Sequence, residues 1–294
     1  MARTVFTVDG EERTWADVVD AAKAWGDWAR VERRCTAQTD QQHSVAPVRD
    51  EVERRATTFR REHRLLSVDE TAEWFAQWGL SVAEWLAHVR QQVLGENPLR
   101  LDDAVWIEAV VSGMLEDAAR RLASALAAHR SVGGTGRPTM SELAAPMDEV
   151  ARRAVTQDRV AALIAANRLA WTTVELQQVD VADEGAAREL AYGVHEDQRP
   201  IQELAHEAGA EVEHSRAALG EQTGELGALL MGAAPGDLVG PVLVDRVWRV
   251  AVVMSRSEPD QADPASVARA RDELAEAALR REVNSRVHWI WSPR

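Results

Sequence analysis

The run Pro235-Gly236-Asp237-Leu238-Val239-Gly240-Pro241-Val242-Leu243-Val244-Asp245-Arg246-Val247-Trp248-Arg249-Val250-Ala251-Val252-Val253-Met254-Ser255-Arg256 decides the fold. Pro-Gly closes a helix-like segment. A short strand follows over Val239–Leu243, a tight turn falls at Asp245-Arg246, and a second strand returns over Val247–Met254. Two strands joined by two residues, the second rich in β-branched side chains, read as a hairpin.

Upstream, Trp171–Val181 alternates and carries Val174, Leu176, Val179 and Val181, so it reads as a further strand. Helices are predicted over Glu184–Tyr192 and Pro200–Gly209. Downstream, Asp263-Pro264 offers an N-cap and a first-turn proline for a helix to about Val283. Arg286-Val-His-Trp-Ile-Trp291 then reads as a terminal strand. The chain opens on a matching strand, Val5–Val8, and a helix capped by Thr14 with Trp15, Val18, Val19, Ala22, Trp25 and Ala29 at helical spacing. Further helices are expected over Val48–Leu65, Val68–Trp78, Val82–Leu94, Asp102–Arg130 and Asp148–Arg168. Ser67-Val-Asp-Glu70 and Ser81-Val-Ala-Glu84 are capping boxes for two of them. Ser131–Pro138 is a loop by composition, and Ser141–Met147 is a short piece broken by Pro146. A lone apolar strand at each end of the chain is an aggregation hazard unless the two pair, so pairing is predicted.

The order strand, helix, short helix, helix, hairpin resembles a parvulin-type prolyl isomerase domain. Pro235-Gly236-Asp237 stands where that family has Pro-Gly-Glu, Gly240-Pro241-Val242 where it has Gly-Pro-Val, and Leu226–Leu229 where it has Phe-x-x-Ala. Ile201–Gly209 is similar to its Phe-x-x-Leu-Ala helix, and the paired helices around Gly79 resemble the N-terminal region of SurA/PrsA-like chaperones. The resemblance implies an α+β fold: a mostly helical SurA-like domain formed by both chain ends, residues 1–168 completed by 259–294, with a parvulin-like domain of a small antiparallel sheet plus helices, residues 169–258, inserted. It implies a polypeptide client, and a precursor peptide held for maturation is the kind some cytosolic relatives would serve.

The active members of that family carry two histidines on adjacent strands. Here Leu176–Gln178 holds no histidine, Arg249 stands at the second position, and the pocket phenylalanine is Leu226. Three readings stay open: a peptide-binding foldase with a degenerate parvulin domain, an active isomerase built around Arg249 with Trp248 and Met231, and a peptide-tailoring enzyme on the same scaffold. The candidate peptide-binding residues are Trp248, Arg249, Leu226, Met231 and Leu176 in the inserted domain and Trp74 and Trp78 in the helical one. Large aromatics go inside or anchor a groove, and both fates stay open for Trp74 and Trp78.

Composition narrows the partners. A formal net charge of −14 disfavours nucleic acid and anionic membranes, since phosphate contacts need a basic surface. No segment reaches the roughly 20 apolar residues of a membrane span, and Met1–Asp9 lacks an apolar signal core, so a cytoplasmic location is expected. One cysteine, Cys35, permits no disulfide within the chain and has no histidine partner in its motif. His206 and His214 lack metal-ligand spacing, and Gly133-Gly134-Thr135-Gly136 runs into Arg-Pro, not Gly-Lys-Ser/Thr. Neither a metal nor a cofactor is expected.

Overall fold

The computed structural model describes residues 3–41, 49–94 and 99–291. The chain forms two compact units, one of residues 1–153 with 276–294 and one of residues 154–275.

The first unit begins with a hairpin, β1 (Thr4–Val8) and β2 (Glu11–Thr14), turned by Asp9 and Gly10, both at positive φ. Its first helix, α1 (Trp15–Ala24), starts at a capping box in which Thr14 and Asp17 satisfy each other's backbone amides. The helical spacing read through Ala29 is broken here by Gly26 at φ 78, so Ala29 belongs to α2 (Asp27–Gln41), and α3 (Arg49–Glu62), α4 (Val68–Gln77) and α5 (Val82–Leu94) follow. Both serine boxes read from the sequence are present: Ser67 with Glu70, and Ser81 with Glu84. The helix expected from Val48 begins at Arg49, and position 48 itself lies outside the described residues. The single helix expected over Asp102–Arg130 is instead two, α6 (Leu101–Val111) and α7 (Met114–Ser131). Gly113 at φ 74 separates them, a left-handed backbone that costs glycine nothing and ends α6. The helix expected over Asp148–Arg168 is also divided: α8 (Ala144–Ala154) takes Pro146 into its first turn, where a proline loses no hydrogen bond.

The second unit opens with α9 (Gln157–Ala166), capped by Thr156, and the single turn α10 (Arg168–Trp171). Then come β3 (Thr173–Val181), α11 (Glu184–His195), α12 (Ile201–Glu207), β4 (Val212–Ala218), α13 (Gly224–Gly232), β5 (Leu238–Val244), β6 (Val247–Ser257) and the first half of α14 (Pro264–Arg286), whose residues from 276 on belong to the first unit. The sheet is antiparallel throughout, in the order β4-β3-β6-β5. Asp245 and Arg246 both take positive φ, the geometry of a two-residue hairpin turn. Strand β4 was not anticipated from the sequence. Residues 154–168 and 259–275 were expected with the helical domain but belong to this compact unit. The cause is a small core in which Val160 and Ile164 of α9 pack with Trp171 and Ala270.

The chain ends in β7 (Val287–Trp289), which pairs antiparallel with β1, Phe6 opposite Trp289 and Val8 opposite Val287. Both ends of the chain therefore share the three-stranded sheet β2-β1-β7 of the first unit. Its core runs from Val5, Phe6 and Val8 through α1, α4 and α5 to Leu115 and Leu122 of α7.

Candidate functional site

Strand β3 explains how the sheet divides its two faces. Val174 and Leu176 point to one face, where they pack with Leu226 and Leu230 of α13 and with Val239, Val242, Ala251 and Val253. Val179 points to the other, where α11 and α12 cover it with Leu190, Ile201 and Leu204, and Val250 joins them. The apolar alternation thus changes phase along β3 because each end is covered on a different side. The switch leaves Gln178 and Asp180 on the Leu176 face, beyond the residues of α13 that cover it.

A polar set fills that position. On β6, Arg249 lies directly opposite Asp180 of β3. Its Nε and Nη2 donate to Asp180 Oδ1 and Oδ2, each at 2.7 Å, a bidentate pair. This hydrogen-bonded pairing raises the Arg249 pKa, against the opposing effect of burial, and the charges of Asp180, Glu213 and Asp245 add to the rise. On the other side, Gln178 Nε2 donates to Glu213 Oε2 at 3.0 Å and Ser215 Oγ donates to Gln178 Oε1 at 3.0 Å. Gln178 is buried, Arg249 and Ser215 are half-buried, and Asp180 and Glu213 are exposed. Three strands therefore hold Ser215, Glu213, Gln178, Asp180 and Arg249 across one face. Arg249 Nη1 and Glu213 Oε1 make no hydrogen bond among the described residues.

The other sequence candidates fall differently. Leu176 and Leu226 lie buried together in the core beside this set. Trp248 points to the opposite face, against the core under α11 and α12, so it and Arg249 do not form one pocket. Adjacent residues on a strand face opposite sides, which decides the matter. Met231 is half exposed on α13. Trp74 and Trp78 are each 5% exposed and sit in the core of the first unit, Trp78 with its ring 4.6 Å from Trp15 and 5.1 Å from Trp291. They offer no surface to a peptide. Sequence reasoning missed Gln178, Asp180, Glu213 and Ser215. The phase change along β3 was the available signal for the first two.

Chemically the set lacks a nucleophile–base pair. Arg249 is committed to Asp180, and no histidine among the described residues bonds to it. No group of three or more histidine, cysteine, aspartate or glutamate side chains converges on a metal site among the described residues. Cavities of about 380 and 150 Å³ in this unit lie along the link from β6 to α14, lined by Arg168, Glu258 and Pro259 and by Trp171, Arg216 and Arg269, and neither includes Arg249. No helix among the described residues is long and apolar enough to cross a membrane.

No protein-family model matches the chain, and no curated protein matches it. Solved structures do. The foldase PrsA of Lactococcus lactis is 10% identical, with 95% of this chain and 86% of that one covered and a TM-score of 0.32. PrsA of Streptococcus pneumoniae gives 10%, 96%, 88% and 0.32 on the same measures. A structure from Campylobacter jejuni, described as one of two structurally related SurA-like chaperones, gives 12%, 98%, 99% and 0.23. The solved structures it resembles are PrsA foldases and SurA-like chaperones. Overlaps this loose lend no weight to the site, whose reading rests on the residues above.

Proposed function

We propose that this protein is a foldase-like polypeptide binder whose four-stranded unit holds its client without isomerising prolyl bonds. The client we propose is a precursor peptide awaiting maturation. The observation that carries the reading is the closed set on the sheet face. Arg249 and Gln178 are already hydrogen-bonded to Asp180, Glu213 and Ser215, so none of these groups is poised to move a proton or to favour a twisted amide. What remains open suits a peptide backbone: Arg249 Nη1 can donate to a carbonyl and Glu213 Oε1 can accept from an amide N–H.

The test is a protease-coupled isomerisation assay on a panel of Xaa-Pro peptides, run beside binding by fluorescence anisotropy, with Arg249→Ala in parallel. We expect no turnover by either protein, and binding that weakens about ten-fold in the variant, as for loss of one charge-assisted hydrogen bond. Turnover that falls in Arg249→Ala would overturn the reading in favour of an isomerase. A mass change in the recovered peptide would instead make the protein a tailoring enzyme.

A further inference from the structure

The acidic excess of this chain is not spread evenly. Residues 154–275 hold 21 of the 48 acidic residues but only 10 of the 34 lysines and arginines, a net charge of −11. The remainder, residues 1–153 and 276–294, holds 27 acidic and 24 basic residues, a net charge of −3. Solubility alone calls for no such asymmetry, whereas a field concentrated on one unit selects and steers a partner of opposite sign. Within that unit, the sheet face beyond α13 repeats the imbalance. Asp180 neutralises Arg249. Glu213 is exposed, and its side chain's one hydrogen bond among the described residues is to the uncharged Gln178, with no ion pair. Asp245, in the β5–β6 turn, makes no ion pair among the described residues and has Arg246 beside it.

We propose that this sheet face docks a cationic polypeptide segment, one carrying lysine or arginine side chains on either side of the stretch that lies across Gln178. The proposal rests on the polypeptide-binding reading above and adds the charge of the client to it. Glu213 receives one basic side chain on the β4 side, Asp245 another on the β5–β6 side, and the field of the unit draws the segment in.

The test uses the full chain and three labelled peptides of equal length with one shared apolar centre, flanked by lysine, serine or glutamate. Two charge-removing substitutions keep the fold. Glu213→Gln retains an acceptor for Gln178, and Asp245→Asn suits the positive φ of the turn, where asparagine is favoured. As a control of equal charge change, Glu189→Gln with Asp197→Asn alters exposed residues on and after α11, which covers the opposite face. The lysine-flanked peptide is expected to bind most tightly, with an affinity that falls as salt is raised. Glu213→Gln with Asp245→Asn is expected to weaken it about two- to five-fold per charge and to leave the serine-flanked peptide unchanged. Equal binding of all three peptides would overturn the charge assignment while leaving a polypeptide binder. An equal loss in the control pair would overturn its placement on this face. Failure of every peptide to bind would overturn both this proposal and the reading beneath it.

Discussion

Glu108 on α6 is the most heavily engaged buried carboxylate of the helical unit. It is 8% exposed, its Oε2 lies 3.1 Å from His88 Nε2 and accepts from Gln92 at 2.9 Å, and its Oε1 accepts from Arg34 at 3.2 Å. Burial pushes its pKa up, but the hydrogen bond and charge of His88, then Gln92 and Arg34, outweigh it and hold the carboxyl below its usual range. A carboxyl with a lowered folded pKa contributes stability above its unfolded value, and that contribution disappears as pH falls through the folded value. Glu108→Ala is therefore expected to cost about 3 kcal/mol in urea unfolding at neutral pH, because Arg34 and His88 lose their shared partner. The gap between variant and wild type should narrow below about pH 4. A gap of undiminished size in acid would refute the linkage. None of this could be read from the sequence, where His88, Gln92, Glu108 and Arg34 are scattered polar residues on three helices. The same holds at the sheet face. Arg249 was legible because it sits in a recognisable hairpin, but Asp180 meets it, and Glu213 meets Gln178, only through strand register, which local sequence does not encode.

At the scale of elements, legibility followed hydrophobic pattern. Strands β3, β5 and β6 carry β-branched runs with turn residues between them and were predicted within a few residues of their ends. Strand β4 reads Val-Glu-His-Ser-Arg-Ala-Ala and β2 reads Glu-Glu-Arg-Thr. Neither has strand propensity of its own, and each is a strand because a neighbour supplies the ladder, Val179 opposite Val212 through Thr173 opposite Ala218 for β4. Gly240 shows how closely the hairpin is fitted. It sits at φ +106, and a Cβ there would lie 2.4 Å from the carbonyl oxygen of Arg249. Flexible side chains can yield, but that oxygen belongs to the backbone of β6. Gly240→Ala is thus expected to destabilise the second unit by about 2 kcal/mol, since both the left-handed conformation and the approach become strained. Hydrogen exchange should show the loss concentrated at Leu238–Val244 and the facing residues of β6. Unchanged protection of these amides would mean that the strand pair relaxes at no cost.

At the scale of the whole molecule, the two units keep separate cores but share α14, whose residues fall on both sides of the division at 275/276. Independent cores favour two unfolding steps, while a continuous helix favours one. Tryptophan placement offers a way to separate them. Nine of the 11 tryptophans belong to residues 1–153 and 276–294, and only Trp171 and Trp248 lie in the other unit. Tryptophan fluorescence therefore reports mainly the helical unit, whereas far-ultraviolet circular dichroism sees both. The separate cores lead us to expect two steps. In Gly240→Ala the dichroism transition of the second unit should move down by about 8 °C, as a 2 kcal/mol loss implies for a domain of roughly this size. The main fluorescence midpoint should stay where it is in the unaltered protein. If both signals move together, α14 couples the units into one cooperative block. The sheet unit could then not loosen without the helical unit following it.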